Sequence, residues 1–198
     1  MVLPNQLTIL RIILTPVFFV LFIIEDPVTK QISLGVFVIA ALTDWYDGWL
    51  ARKFNYITPW GKFWDPLADK ILTSAAFIGL VIPGIVELWM VIVILLRDFL
   101  ITGLRAYADY KEFSFPTSYY AKWKTMLQMV LLYYLLLLFV VQYSPLINDL
   151  YGNLISLLLN KQLVYFIALF ITLITFHSGV LYITRNRKII LKLLKIEN

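Results

Sequence analysis

Four aspartates fall within 26 positions of a strongly apolar chain, and they limit what the chain can become. Asp44 and Asp47 end one apolar run, and Asp65 and Asp69 begin the next. We call these four residues the aspartate cluster. Carboxylates at the ends of membrane-length segments are costly to desolvate, so their presence there indicates a functional site.

The composition is typical of a polytopic membrane protein. The 198 residues are 61% hydrophobic and 15% charged, whereas a soluble domain carries about a quarter charged residues. Segments near the length of a membrane span run roughly over 7–25, 32–51, 67–83, 87–109, 124–143 and 162–184. We therefore expect an all-α fold of six transmembrane helices in one domain, residues 1–198. A shorter apolar run, 154–159, is expected to pack in a loop or to extend the last helix.

The distribution of basic residues predicts the orientation in the membrane. With six spans, 15 of the 17 Lys and Arg residues fall on the side of both termini, and only Lys30 and Lys161 fall on the other. By the positive-inside rule, both termini and the aspartate cluster face the cytoplasm, in a cell-membrane protein. A net charge of +5 could indicate a nucleic-acid partner, but the apolar content favours a membrane orientation signal or an anionic lipid instead. The basic tail 184–198 either lies on anionic headgroups or is a frayed end.

The start of the chain is expected to remain in the mature protein. Residues 1–14, MVLPNQLTILRIIL, lack a basic leading region and a small-residue cleavage site, which a removable signal peptide requires. The first apolar segment is therefore predicted to be a permanent helix.

The residue types narrow the chemistry of the aspartate cluster. The chain has no Cys and one His, which excludes thiolate sites and disfavours zinc bound by His. Spacings of three and four place each aspartate pair on one helix face. Pro59 and Gly61 predict a turn between the pairs, so the two spans should form an antiparallel pair whose carboxylates meet. Four such ligands can hold two hard divalent ions, Mg²⁺ or Mn²⁺, about 4 Å apart.

Two other interpretations of the cluster remain open on the residues alone. The carboxylates could be interfacial charges, paired with the nearby cations Arg52, Lys53, Lys62 and Lys70. They could also be ion sites of a small cation transporter, although a transporter predicts carboxylates spread over several helices near the membrane midplane.

The stretch 44–69 resembles a known family signature. It matches, position for position, the motif of the CDP-alcohol phosphatidyltransferases, and it reads Asp44-x-x-Asp47-Gly48-x-x-Ala51-Arg52-(x)8-Gly61-x-x-x-Asp65-x-x-x-Asp69. Members of that family transfer the phosphatidyl group of a CDP-lipid to an alcohol and release CMP. The resemblance implies that the four aspartates bind divalent metal and that Asp69 also takes the proton of the attacking hydroxyl. It further implies a homodimer.

The same resemblance suggests which residues hold the CDP-lipid. Gly48 lacks a Cβ and would let the nucleotide approach the helix backbone, with Ala51 on the same small-residue face. Without the motif, helix packing by small residues would be the favoured interpretation of both. The full set of candidate CDP-lipid contacts is Asn5, Thr43, Asp47, Gly48, Ala51 and Arg52, of which Asn5 and Thr43 could instead cap or pack.

A second group of charges bears on the acceptor alcohol. Arg97 and Arg105 lie eight apart on one helix face, and Lys122 and Lys124 follow at the next segment. Cations at membrane depth are costly unless they meet an anion, so together these four could clamp a phosphate. An ion pair with Asp98 is the alternative for Arg97.

The flanking segments LPNQLTILRIILTPVFF, RDFLITGLRAYA and AKWKTMLQM resemble those of bacterial phosphatidylglycerophosphate synthases. In that branch the substrates are CDP-diacylglycerol and sn-glycerol 3-phosphate. Asp98 departs from the branch, where Glu is expected. Inositol phosphate, serine and phosphatidylglycerol remain alternative acceptors.

Overall fold

The computed structural model describes residues 3–54, 59–111, 113, 115 and 119–193 of the chain, and the regular elements in this part are α-helices. They are α1 (Leu3–Ile23), α2 (Pro27–Phe54), α3 (Pro59–Val81), α4 (Leu88–Tyr110), α5 (Tyr119–Val141), α6 (Pro145–Leu158), α7 (Lys161–Arg185) and α8 (Arg187–Leu193). The predicted all-α fold is confirmed.

The six predicted apolar segments correspond to α1–α5 and α7. In the part of the chain that the structure describes, three helices are long and apolar enough to cross a membrane, namely α5, α7 and residues Gln6–Ile23 of α1. The helices α2, α3 and α4 have 28, 23 and 23 residues, and each carries four or more charged side chains. The apolar helices α1, α5 and α7 show that the protein is embedded in a membrane.

The predicted turn at Pro59 and Gly61 is wrong, because α3 already begins at Pro59 and contains Gly61. Proline is well placed at the first helical position, where its missing N–H has no intrahelical acceptor. Helix α3 therefore begins eight residues before the expected start at residue 67.

The run 154–159 neither extends the last helix nor lies in a loop. It belongs mostly to the separate helix α6, which begins at Pro145 and ends at Leu158. Asn160 then caps α7, because its side-chain oxygen accepts from the backbone N–H groups of Gln162 at 2.9 Å and Leu163 at 3.3 Å. Asn160 is therefore the N-cap of α7, and two residues separate the end of α6 from the start of α7.

Helix α1 packs against both α2 and α3, which touch each other only slightly. The expected direct pairing of α2 with α3 is therefore wrong, since α1 lies between them. Aromatic rings join α1 to α2 and α5: between ring centres, Phe18 of α1 lies 5.1 Å from Phe37 of α2, and Phe22 lies 5.4 Å from Phe139 of α5.

Two side chains fix the connection from α1 to α2. Asp26 accepts hydrogen bonds from the backbone and hydroxyl of Thr29, at 2.8 and 2.7 Å, and these bonds hold the pKa of Asp26 below its ordinary value. Buried Lys30 donates to the carbonyl of Phe22 at 3.0 Å, and its ammonium lies 4.8 Å from the ring centre of Tyr143. The ammonium thus satisfies a carbonyl that the end of α1 leaves free.

Replacing Gly79 by Ala should destabilise the contact of α3 with α1. A Cβ at Gly79 would lie 2.9 Å from a ring carbon of Phe22, and Phe22 is itself buried against Phe18 and Phe139. We expect Gly79→Ala to cost about 1–3 kcal/mol, measured as a lower Tm of the purified protein in detergent.

Gly35→Ala is the matched control, because a Cβ at Gly35 of α2 meets no atom within 4 Å. Alanine favours the helix over glycine, so Gly35→Ala should keep or raise the Tm. Equal Tm values for Gly79→Ala and the wild type would contradict the close approach of α3 to Phe22.

Candidate active site

Arg11 is the only charged residue of α1, and it bridges two members of the aspartate cluster. Its guanidinium lies 2.6 Å from Asp44 Oδ1 through one terminal nitrogen. The other terminal nitrogen donates to Asp47 Oδ2, also at 2.6 Å. The Arg11 side chain is fully buried, as is almost all of Asp47. One cation thus holds both carboxylates of α2 from the interior of the protein.

Thr8 makes a similar contact to α3. Its hydroxyl donates to Asp65 Oδ1 at 2.5 Å. Thr8 and Arg11 are three residues apart, so they lie on one face of α1. Further along this face, Thr15 donates instead to the backbone carbonyl of Arg11 at 2.8 Å. Helix α1 therefore touches three of the four aspartates.

The four aspartates line one cavity of about 430 Å³. Its other lining residues are Trp45, Gly48 and Pro66. We call it the aspartate cavity. The helical spacing predicted this convergence. Within the described ranges, however, no three Asp, Glu or His side chains are close enough to hold one metal ion as they stand.

A second cavity, of about 460 Å³, lies between α3, α4, α5 and α7. Four basic residues line it, namely Lys70, Arg97, Arg105 and Lys122. We call it the cationic cavity. Its wall also contains Tyr182, whose ring centre lies 6.0 Å from the guanidinium carbon of Arg105. Such a surface suits an anionic ligand.

The two cavities share Asp69 and Pro66 in their walls. Asp69 therefore presents its carboxylate where the aspartate cavity meets the cationic cavity. The ammonium of Lys70 lies 3.2 Å from Asp69 Oδ2, which keeps a positive charge beside this carboxylate. A group bound in either cavity can approach Asp69.

Asp98 is buried and forms ion pairs with cations from three helices. It accepts from Lys124 at 2.5 Å, Arg97 at 3.0 Å and Gln128 at 3.1 Å. Lys70 lies 3.9 Å away. The ion pair of Arg97 with Asp98, left open by the sequence, is thus present, although Arg97 also lines the cationic cavity.

The predicted acceptor residues separate into two groups. Arg97, Arg105 and Lys122 line the cationic cavity. Lys124 is absent from this wall, and its fully buried ammonium faces Asp98. Lys122 and Lys124 are two positions apart on α5, and each position turns the helix by about 100°. Their side chains therefore lie on nearly opposite faces of the helix.

The predicted CDP-lipid residues are described only in part. Asp47 and Gly48 line the aspartate cavity. Thr43 lies outside this wall, and its hydroxyl donates to the carbonyl of Ala40 at 2.7 Å. The predicted contacts of the side chains of Asn5, Ala51 and Arg52 fall outside the described part of the structure.

Sequence reasoning missed Thr8, Arg11 and Lys70 as site residues and treated Asp98 only as an ion-pair partner. Arg11 carried a usable signal, since a single charge in an otherwise uncharged apolar helix is costly unless it meets an anion. Lys70 adjoins Asp69 in the sequence. Thr8 carried no signal, because a lone threonine commonly bonds to its own helix backbone.

Replacing Asp98 by Asn should leave the cations around it without a counter-charge. Removing one partner of a buried ion pair costs about 3–5 kcal/mol, so we expect Asp98→Asn to lower the Tm in detergent strongly. Asp98→Glu retains the charge and should lose much less stability. Equal losses for the two variants would show that side-chain shape, rather than charge, holds the cluster.

Comparison with known proteins agrees with the motif. The family described as CDP-alcohol phosphatidyltransferase matches residues 1–176. A protein of Rickettsia bellii named CDP-diacylglycerol–glycerol-3-phosphate 3-phosphatidyltransferase is 39% identical over 176 residues, which cover 89% of this chain and 92% of the relative. A Bacillus subtilis protein of the same name is 46% identical over 115 residues, covering 52% of this chain and 60% of the relative.

The family match extends over most of the chain and includes α1–α5, the whole aspartate cluster and the cationic cavity's contributions from α3, α4 and α5. This match favours a phosphatidyltransferase over the alternative interpretation of the chain as a cation transporter. From the motif, the helical architecture and these relatives together, the chain belongs to the CDP-alcohol phosphatidyltransferase family.

Proposed function

We propose that this chain transfers the phosphatidyl group of CDP-diacylglycerol to sn-glycerol 3-phosphate, giving phosphatidylglycerophosphate and CMP. The observation that carries the proposal is the position of Asp69 in the walls of both cavities. One cavity offers carboxylates, which suit metal-bound pyrophosphate, and the other offers cations, which suit a phosphorylated acceptor. The names of the relatives support the same reaction.

Divalent cations, Mg²⁺ or Mn²⁺, fit the aspartate cavity by its donor set, which consists of carboxylates. Among the described residues, two cations contact the four aspartates, namely Arg11 and Lys70. Negative charge therefore remains for a metal to balance. We propose that Asp44, Asp47, Asp65 and Asp69 hold two such ions. When bound, the ions would neutralise the pyrophosphate and the charge developing on the departing CMP.

The transfer assigns a definite role to Asp69. The acceptor hydroxyl attacks the phosphorus that bears the diacylglycerol, and its proton passes to the Asp69 carboxylate. The bond from this phosphorus to the CMP phosphate breaks, and CMP leaves with the electron pair. The ammonium of Lys70 lies 3.2 Å from Asp69 Oδ2, beside the carboxylate that is proposed to take the proton.

The cationic cavity favours a phosphorylated acceptor over serine. Four basic residues line this cavity against two carboxylates, Asp69 and Asp109. The excess of positive charge suits a phosphate better than a neutral or zwitterionic alcohol. We propose Arg97, Arg105 and Lys122 as the phosphate-binding group. The proposed part of Lys124 is indirect, because its ammonium holds Asp98 beside Arg97.

The CDP-lipid is proposed to enter along α2. Gly48 lies in the wall of the aspartate cavity, where the absence of a Cβ leaves room for the nucleotide beside Asp47. Arg52 is proposed as a phosphate partner. Asn5, Thr43 and Ala51 are proposed as further contacts by the family resemblance.

The proposed setting is the cell membrane, crossed by α1–α5 and α7, with both termini and the two cavities on the cytoplasmic side. The excess of Lys and Arg on that side supports this orientation. A homodimer is proposed from the family resemblance.

Purified protein with Mg²⁺ or Mn²⁺ should release CMP only when CDP-diacylglycerol and glycerol 3-phosphate are both present. Chelation of the metal should abolish the release. The measurement is CMP formation against a panel of acceptors comprising glycerol 3-phosphate, inositol phosphate, serine and phosphatidylglycerol. Faster turnover with another acceptor would overturn the acceptor assignment and leave the family reaction intact.

Asp69→Asn is the matched variant for this assay, because it keeps the shape of the side chain and removes its basicity. We expect turnover to be lost while binding of CDP-diacylglycerol is largely retained. Near-normal turnover of Asp69→Asn would remove Asp69 from its role as the base.

Arg105→Ala should weaken acceptor binding selectively. A hydrogen bond to a charged group contributes about 1.5–3 kcal/mol, so the KM for glycerol 3-phosphate should rise roughly 10- to 100-fold, with little change for CDP-diacylglycerol. Lys111→Ala is the control, since exposed Lys111 follows the same helix but does not line the cationic cavity. Equal rises in both KM values would exclude Arg105 as an acceptor contact.

A further inference from the structure

The buried face of α1 that begins at Thr8 and Arg11 contacts the aspartate cluster on the side away from the aspartate cavity. Arg11 is fully buried, whereas the side chain of Asp44, which it contacts, is 43% exposed. Neither Thr8 nor Arg11 belongs to the wall of the aspartate cavity, although Asp44, Asp47 and Asp65 do. The carboxylates therefore stand between α1 and the cavity.

Each contact from α1 uses one oxygen of a carboxylate. Arg11 takes Oδ1 of Asp44 and Oδ2 of Asp47, and Thr8 takes Oδ1 of Asp65. A carboxylate has two oxygens with about four acceptor positions between them. Each of the three aspartates can thus be held by α1 through one oxygen while the other oxygen serves a ligand in the cavity.

The contacts of Arg11 do more than neutralise charge. Asp44 and Asp47 belong to the same helix, and one planar guanidinium donates a hydrogen bond to Asp47 through one terminal nitrogen and forms an ion pair with Asp44 through the other. These two contacts restrict the side-chain rotamers of both aspartates relative to each other. Thr8 ties Asp65 of α3 to the same helix. Because α2 and α3 touch only slightly, α1 is the element that sets the distance between the two aspartate pairs.

We infer that Thr8 and Arg11 are positioning residues for a divalent-metal site, and that they orient Asp65 and the Asp44–Asp47 pair before the ion binds. This inference rests on the proposed metal-dependent function. It predicts that metal affinity depends on side chains that never touch the metal. Groups that orient metal ligands in this way typically contribute 10- to 100-fold to metal affinity.

The test is Mn²⁺ binding to the purified full chain in detergent without substrate, followed by the electron paramagnetic resonance signal of free Mn²⁺. Arg11→Lys keeps the charge but lacks the two terminal nitrogens of a planar guanidinium, so it cannot contact both carboxylates in the same fixed geometry. Thr8→Val keeps the shape and removes the donor to Asp65. Both variants should raise the Kd for Mn²⁺ about 10-fold.

Thr15→Val is the matched control. Thr15 is buried on the same face of α1, but its hydroxyl donates to the backbone carbonyl of Arg11 rather than to a carboxylate. Its variant should bind Mn²⁺ as the wild type does. Should Arg11→Lys fail to fold, the comparison of Thr8→Val with Thr15→Val decides the question.

The possible outcomes separate the inference from the proposed function. Mn²⁺ binding by the wild type with unchanged Kd values in Thr8→Val and Arg11→Lys would overturn the positioning role and leave the metal site standing. If Thr15→Val binds Mn²⁺ as weakly as Thr8→Val does, the loss of affinity is due to general packing of α1, and the positioning role is overturned as well. A wild type that binds no Mn²⁺ would overturn the metal site and, with it, the inference.

Discussion

The ion pairs of Arg11 with Asp44 and Asp47 are the interaction on which the rest of the site depends. A fully buried guanidinium is stable only where anions meet it, and removing one partner costs about 3–5 kcal/mol. Arg11 therefore ties α1 to α2 at one register, while Thr8 of the same face reaches α3. The aromatic contacts of Phe18 and Phe22 extend this attachment along α1.

Charge is distributed so that two cavities of opposite character meet at one side chain. The aspartate cavity is lined by carboxylates and the cationic cavity by Lys and Arg, with Asp69 in both walls. Asp98 maintains this division, because it binds Lys124 in the interior and holds Arg97 beside the cationic cavity. The proposed transfer from a CDP-lipid to a phosphorylated alcohol needs such a division, since its donor and its acceptor are both anionic and must still come together.

Much of this arrangement could be predicted from the sequence, and the failures have physical causes. The spacing of the aspartates predicted a shared cavity because helical periodicity is local. The predicted pairing of α2 with α3 was wrong, because no local pattern shows that α1 packs between them. Grouping Lys122 with Lys124 overlooked the opposite directions of residues two positions apart on a helix, and Pro59 proved to start α3 rather than a turn.

The sequence by itself determined the helical class, the family and the carboxylates that form the site, because composition, periodicity and a motif of fixed spacing are properties of neighbouring residues. Only the tertiary structure decided which charges meet. Arg11 and Asp47 are 36 positions apart, and Lys124 and Asp98 are 26 apart. Such pairs form because a buried charge must find a counter-charge wherever packing brings one within reach, and packing is a property of the whole chain.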